Sequence, residues 1–348
     1  MKKVNLFLSI NEWCNLDCEY CNVFKTQKKL SFWDCKKAFI YFFKFFQKAN
    51  GYNVFFIWGE PMLSFLEIKK SVIFLKLLEK KLWKEISISM PSNGTLFKKK
   101  HLDFFRLYNV NVSLSIDTLS LDYNYRNIRG KEESSNNILL KQLDLFKRYS
   151  DILRIKSVIV PDTINNMKKT FLSLKKEWFK FINMQPAHWI YWSEKNINTY
   201  IKNYIYIRDN LVNDHIKSAT FKWSECSDRG CTSWCAKWKS EICIDSYWNI
   251  MVCDAFLAFS PKKRKLYSHD NLFENNFNIK KFIKYSNWKY CDNDIIWDEK
   301  DLTNCNECNE TKSCSKLCNA LPINWADYDE KILLSNFRLF HKLDRLWM

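Results

Sequence analysis

Along the first two-thirds of the chain, short apolar runs alternate with longer amphipathic stretches, the pattern of repeated βα units around a parallel sheet. Val4 to Ile10 reads as a first strand and Phe32 to Lys48 as its helix. Asn53 to Trp58 is the second strand, followed by a helix near Ser64 to Trp83. Ile86 to Met90, a helix over Lys98 to Tyr108, and Val110 to Asp117 continue the alternation. A helix over Ser135 to Tyr149 precedes a fifth strand, Leu153 to Val160, which Pro161 stops. Met167 to Lys180 is helical, a sixth strand lies within Phe181 to Trp192, and Asn198 to His215 is a sixth helix. Beyond about residue 220 the pieces become short and rich in asparagine, with a strand expected over Ile242 to Val252 and a closing amphipathic helix over Lys331 to Leu346. The fold expected is α/β: a partial, TIM-like (β/α)6 barrel over 1–218, a cysteine-rich module over 219–330 and a closing helix over 331–348.

Composition adds constraints. The 348 residues are 47% hydrophobic and 27% charged, a globular composition. No run approaches the ~18 apolar residues a membrane span requires, and the apolar run at Val4 to Ile10 is too short for a signal peptide. A cytoplasmic location is therefore expected, where clustered thiols hold metals more often than they pair. The net charge of +17 comes from lysines spread along the chain, without an arginine-rich stripe. Nucleic acid is not the expected partner, nor is a membrane, and the basic surface suits acidic peptide segments. Only five glycines occur, so each is expected where backbone geometry demands it.

Cys14, Cys18 and Cys21 form C-x3-C-x2-C directly after the first strand. A loop there can set three thiolates at three corners of a [4Fe–4S] cubane. Three ligands rather than four leave one iron open to an exogenous chelator. Structural zinc would need a fourth ligand, and no neighbouring histidine or cysteine supplies one. Cys35, on a helix face, reads as packing, and Cys243, in a strand, as structural.

With this triplet the chain resembles the radical S-adenosylmethionine (SAM) superfamily over roughly residues 4–215, because four further segments fall at the ends of expected strands. Trp58-Gly59-Glu60-Pro61 resembles the family's Gly-Gly-Glu-Pro element, with tryptophan in place of the first glycine. Ser92-Asn93-Gly94-Thr95 resembles its ribose and carboxylate contact, Ser115-Ile116-Asp117 the close of its fourth strand, and Arg129-Gly130 its carboxylate clamp. Tyr20 stands in the aromatic position near the adenine. The resemblance implies that Cys14, Cys18 and Cys21 hold a [4Fe–4S] cluster and that Tyr20, Gly59, Glu60, Ser92, Asn93, Ser115, Asp117 and Arg129 contact SAM. It also implies that a 5′-deoxyadenosyl radical abstracts hydrogen from substrate, with electrons from an external donor such as flavodoxin or ferredoxin.

Cys305, Cys308, Cys314 and Cys318 spell C-x2-C-x5-C-x3-C, which resembles the SPASM module of peptide-modifying radical SAM enzymes. Cys235 and Cys253 fit its upstream spacing, with Trp248 where a glycine belongs. The resemblance implies two auxiliary [4Fe–4S] clusters: one on Cys231 (or Cys226), Cys235, Cys253 and Cys318, the other on Cys305, Cys308 and Cys314. The family's final cysteine is missing, leaving Asp327, Asp329, Cys291 or an open iron as the alternatives, of which Asp327 is favoured. Two zinc knuckles are the bland alternative for this region.

The implied substrate is a ribosomally made precursor peptide, its leader bound by strand addition to a sheet edge, since the short amino terminus leaves no room for a recognition domain. The leaning is toward a cyclophane cross-link of the triceptide (XYE) type. Thioether formation, epimerisation, sulfatase maturation and RNA modification are the alternatives. His188 reads as a buried, satisfied histidine before it reads as a base.

Overall fold

The computed structural model describes residues 3–120, 125–131, 133–177, 179–188, 190–211, 241–251, 257–268 and 270–272, together with Ser335, Leu339 and Lys342. Six strands, β1 (Val4–Ser9), β3 (Gly51–Ile57), β4 (Glu85–Ser92), β5 (Val110–Ser115), β7 (Leu153–Ile159) and β8 (Ile182–Pro186), run parallel in that spatial order. Helices α1 (Phe32–Phe45), α2 (Phe65–Leu82), α3 (Lys99–Leu107), α6 (Met167–Lys176) and α7 (Glu194–Asn210) fall between or after them. This is the βα alternation expected of the partial barrel. Strand residues Leu6, Leu8, Val54, Phe56, Ile86, Ile88, Val112 and Leu114 are fully buried at alternate positions, the period that fixes which face meets the helices.

Local chemistry sets the element ends. Ser31 and Asp34 close a reciprocal capping box at the start of α1, and the Ser193 hydroxyl caps α7. That cap starts the sixth helix at Glu194 rather than at Asn198, and the helix stops at Asn210. The helix expected over 135–149 is broken at Gln142 into α4 (Ser135–Lys141) and α5 (Leu143–Lys147). Helix α6 ends at Lys176, four residues short of expectation. Helix α2 ends on Trp83, whose φ of 54° is left-handed.

The single strand expected over 242–252 is a hairpin instead. Strand β9 (Glu241–Ile244) turns at Asp245 to Trp248 into the antiparallel β10 (Asn249–Met251), and β11 (Asp270–Asn271) pairs with β10. Apolar content alone could not show the turn, because Ile242, Cys243, Ile244, Ile250 and Met251 are all buried. Strand β9 lies parallel against the outer edge of β1, so this segment extends the barrel sheet. Cys243 and Cys35 are both fully buried in packing roles, as expected.

The hairpin is locked to the barrel by a buried charge cluster. Arg264, on the short helix α8 (Pro261–Tyr267), reaches Glu12 through two bonds of 2.6 and 2.7 Å and Asp245 at 3.1 Å. Glu12 also accepts from Ser246 at 2.5 Å and Thr26 at 3.0 Å. Ser335, Leu339 and Lys342 are helical where the closing helix was expected. Leu339 is buried, the Ser335 hydroxyl accepts from the Trp192 amide at 2.9 Å, and Lys342 pairs with Glu194 on α7.

Removing one partner from a buried pair strands the other, which costs about 3–5 kcal/mol. Arg264→Met should therefore lower unfolding free energy by about that much in a urea titration, and the double variant with Glu12→Gln should recover part of the loss.

Candidate functional site

The loop after β1 carries Cys14, Cys18 and Cys21, all three unpaired and partly buried. Two anchors position it. On one side, Asn11 donates to the carbonyls of Trp13 (3.1 Å) and Glu60 (3.0 Å), while the Glu60 amide donates to the Trp13 carbonyl at 2.8 Å. Gly59, at φ 59°, permits this contact, since a Cβ there would lie 2.4 Å from the carbonyl oxygens of both Asn11 and Trp13. On the other side, Leu16–Cys18 forms strand β2, paired antiparallel with β6 (Arg126–Ile128). The Arg129 guanidinium donates to the carbonyls of Cys14 and Leu16, pairs with Asp17 at 2.9 Å and stacks over the Trp13 ring.

The ends of β3 and β4 meet behind this loop. Glu60 is buried, and its carboxyl accepts from the Asn93 amide (2.7 Å), the Ser92 hydroxyl (2.8 Å) and the Met62 amide (3.0 Å). Burial raises its pKa, and these donors offset part of the rise. Asn93 donates to Asn15 at 2.8 Å and makes a longer contact of 3.9 Å to the Cys14 sulfur. Its carbonyl oxygen accepts from Thr95. Glu60, Ser92 and Asn93 thus brace the cysteine loop with hydrogen bonds already made within the chain, and Arg129 clamps the same loop.

Tyr20, Asp117 and Arg126 form a second group. The Tyr20 hydroxyl donates to Asp117 at 2.5 Å and accepts from Arg126 at 2.6 Å. Asp117 lies two residues past the end of β5 and also accepts from the Val158 amide, which ties it to β7. Burial and the Asp117 charge hold the Tyr20 pKa well above its usual value, against the lowering effect of Arg126. Asp117, Arg126, Tyr125, Thr118, Asn136 and Thr163 line a cleft beside this group. Arg126 is buried, and its Nε has no hydrogen-bond partner among the described residues. Ser115, the last residue of β5, is partly buried.

These residues fit a cluster and a polar ligand. Burial pushes the Cys14 thiol up to about 11 and raises that of Cys18, so only a metal would hold them as thiolates. Among the described residues, no three His, Cys, Asp or Glu side chains converge as they would on one metal ion. A cubane binds each thiolate through a different iron, so its ligands stand further apart than those of a single zinc. The unpartnered Arg126 Nε in the cleft offers a donor to a bound polar group.

Reasoning from the sequence alone missed Asn11, Glu12, Asn15 and Arg126. Arg126 sits on a three-residue strand too short to show a period, and Glu12 finds its partner 252 residues away. His188 follows β8 and is exposed rather than buried. Cys226, Cys231, Cys235, Cys253, Cys291, Cys305, Cys308, Cys314 and Cys318 lie outside the described residues, as do Asp327 and Asp329. No helix among the described residues is long and apolar enough to cross a membrane.

Residues 8–171 match the model of the Radical SAM superfamily. The chain is 22% identical over 337 residues to the radical SAM cyclopropyl synthase TigE of Paramaledivibacter caminithermalis, covering 89% of this chain and 66% of that protein. It is 26% identical over 183 residues to a cysteine-type anaerobic sulfatase-maturating enzyme of Clostridium novyi, which spans 50% of this chain and 48% of the relative. It thus covers less than two-thirds of either relative's length. Among solved structures, anSMEcpe with bound AdoMet and Cp18Cys peptide superposes with a TM-score of 0.67 at 17% identity, over 99% of this chain and 100% of that one. Streptococcus suis SuiB bound to precursor peptide SuiA gives 0.53 at 16% identity, over 80% and 64%. These likenesses establish a shared fold.

Gly59→Ala should dislodge the cysteine loop, because no side chain can yield where the obstructing atoms are backbone carbonyls. After anaerobic reconstitution, the iron bound at this loop should fall by most of its amount while far-ultraviolet circular dichroism stays near that of the parent.

Proposed function

From the premise that the chain carries a radical SAM domain, we propose that it is a peptide-modifying enzyme whose Cys14, Cys18 and Cys21 hold a [4Fe–4S] cluster with one iron left for SAM. The observation that carries this reading is the braced loop of three unpaired thiols at the carboxyl ends of β1, β3 and β4. When bound, the cluster and SAM supply a one-electron cleavage that starts hydrogen abstraction. The protein's own part is to orient and to exclude water. Glu60 and Asn93 fix the loop, Arg129 clamps the Cys14 carbonyl, and Asp117 and Arg126, both bonded to Tyr20, line the cleft beside it.

The proposed substrate is a ribosomally made precursor peptide, and the proposed product an intramolecular cross-link, a cyclophane between an aromatic ring and a neighbouring side-chain carbon. Peptide action is supported by the names of the relatives and by the peptide-bound structures of similar fold. Auxiliary clusters on the C-terminal cysteines, with Asp327 as the favoured last ligand, would take up the surplus electron left by joining two positions. A flavodoxin or ferredoxin is the proposed electron donor. Epimerisation is the competing outcome, and it leaves peptide mass unchanged.

Anaerobically reconstituted protein should be brown and release 5′-deoxyadenosine from SAM under reduction. A co-expressed neighbouring peptide should lose about two hydrogens per cross-link. Cys18→Ala should abolish both signals in mass spectra. A colourless protein carrying stoichiometric zinc would overturn the reading.

A further inference from the structure

Among the described residues, four that are not glycine have positive φ: Trp58 at 69°, Trp83 at 54°, Asn109 at 52° and Trp248 at 65°. Asparagine tolerates this region, because its short polar side chain bonds locally. Tryptophan has no such local bond, and the crowding of Cβ against its own backbone disfavours the conformation by roughly tenfold, which at positions 58 and 248 stands against the packing of the rings on the core.

Each of the three occupies a backbone role that glycine fills. Trp83 follows the last residue of α2, where helices end on a left-handed glycine, and its ring is 93% exposed, so packing offsets nothing. Trp248 closes the β9–β10 turn, its amide donating to the Asp245 carbonyl at 3.0 Å, at a point where hairpin loops call for a residue with φ above zero. Trp58 precedes Gly59, itself at φ 59°, so two consecutive residues are left-handed. Composition agrees. Fifteen tryptophans stand against five glycines, and together they make about 6% of the chain, near the ~7% that glycine alone ordinarily holds.

We propose that positions 58, 83 and 248 are glycine in the protein as its own cell makes it, their shared codon being UGA, which some genetic codes read as tryptophan and others as glycine. The fold then needs no strained tryptophan. At position 58 the change removes an indole next to Gly59 and bares two consecutive backbone units after β3, where a ligand's polar groups can approach closely.

The gene and the native protein test this directly. All three positions should be encoded by UGA, and peptides spanning them, purified from the source cells, should be lighter by the difference between an indolylmethyl group and a hydrogen. UGG codons, or peptides with the tryptophan mass, would overturn the proposal whatever the enzyme's activity. In recombinant protein, Trp83→Gly should raise the folded-to-unfolded ratio roughly tenfold over Trp83→Ala, which keeps the left-handed Cβ. An equal or lower ratio would overturn the backbone argument.

Discussion

The pair between Glu12 and Arg264 holds the structure's two ends to one purpose. Glu12 lies two residues before the first cysteine of the loop, and Arg264 lies on the helix that follows the β9–β10 hairpin. Neither charge would tolerate burial alone. Burial opposes the Arg264 charge, yet Glu12 and Asp245 more than offset it and keep the guanidinium firmly protonated. Asp245 is in turn held by the amides of Tyr247 and Asn249. The cluster therefore makes the loop's position depend on a segment that enters the fold more than two hundred residues later.

From that fixed point the loop is threaded between two other supports. Carbonyls of Asn11 and Trp13 rest on Gly59, and the β2–β6 ribbon with Arg129 grips the far side. Little of this support comes from groups that would touch a substrate. Glu60, Ser92 and Asn93 spend their hydrogen bonds on each other and on neighbours of Cys14. With the cysteines as the proposed ligands, this is the division common around metal sites, in which outer residues orient the ligating ones.

The sequence foretold the βα alternation well, because each strand of the parallel sheet carries a strong apolar signal and each helix a clear amphipathic stripe. The cysteine triplet was equally plain, since thiol spacing is local. What escaped was non-local or too short to be periodic. The ribbon of Leu16–Cys18 with Arg126–Ile128 spans three residues a side. The hairpin at Asp245 to Trp248 was hidden because both of its strands are buried and apolar, and the residue that turns the chain there is a tryptophan. His188 was misplaced for a related reason: a residue just past a strand end can face either the interior or the surface, and periodicity does not choose.

The double grip on the cysteine loop means that, on the proposed reading, folding does not rest on the metal centre alone. In small zinc modules the ion supplies much of the folding free energy, and the unloaded chain is unstructured. Here backbone and side-chain bonds from Asn11, Glu60, Asn93 and Arg129 also hold the loop. On the proposed reading of the cysteines, a chain that lost its cluster to oxygen would keep these bonds and could be charged again.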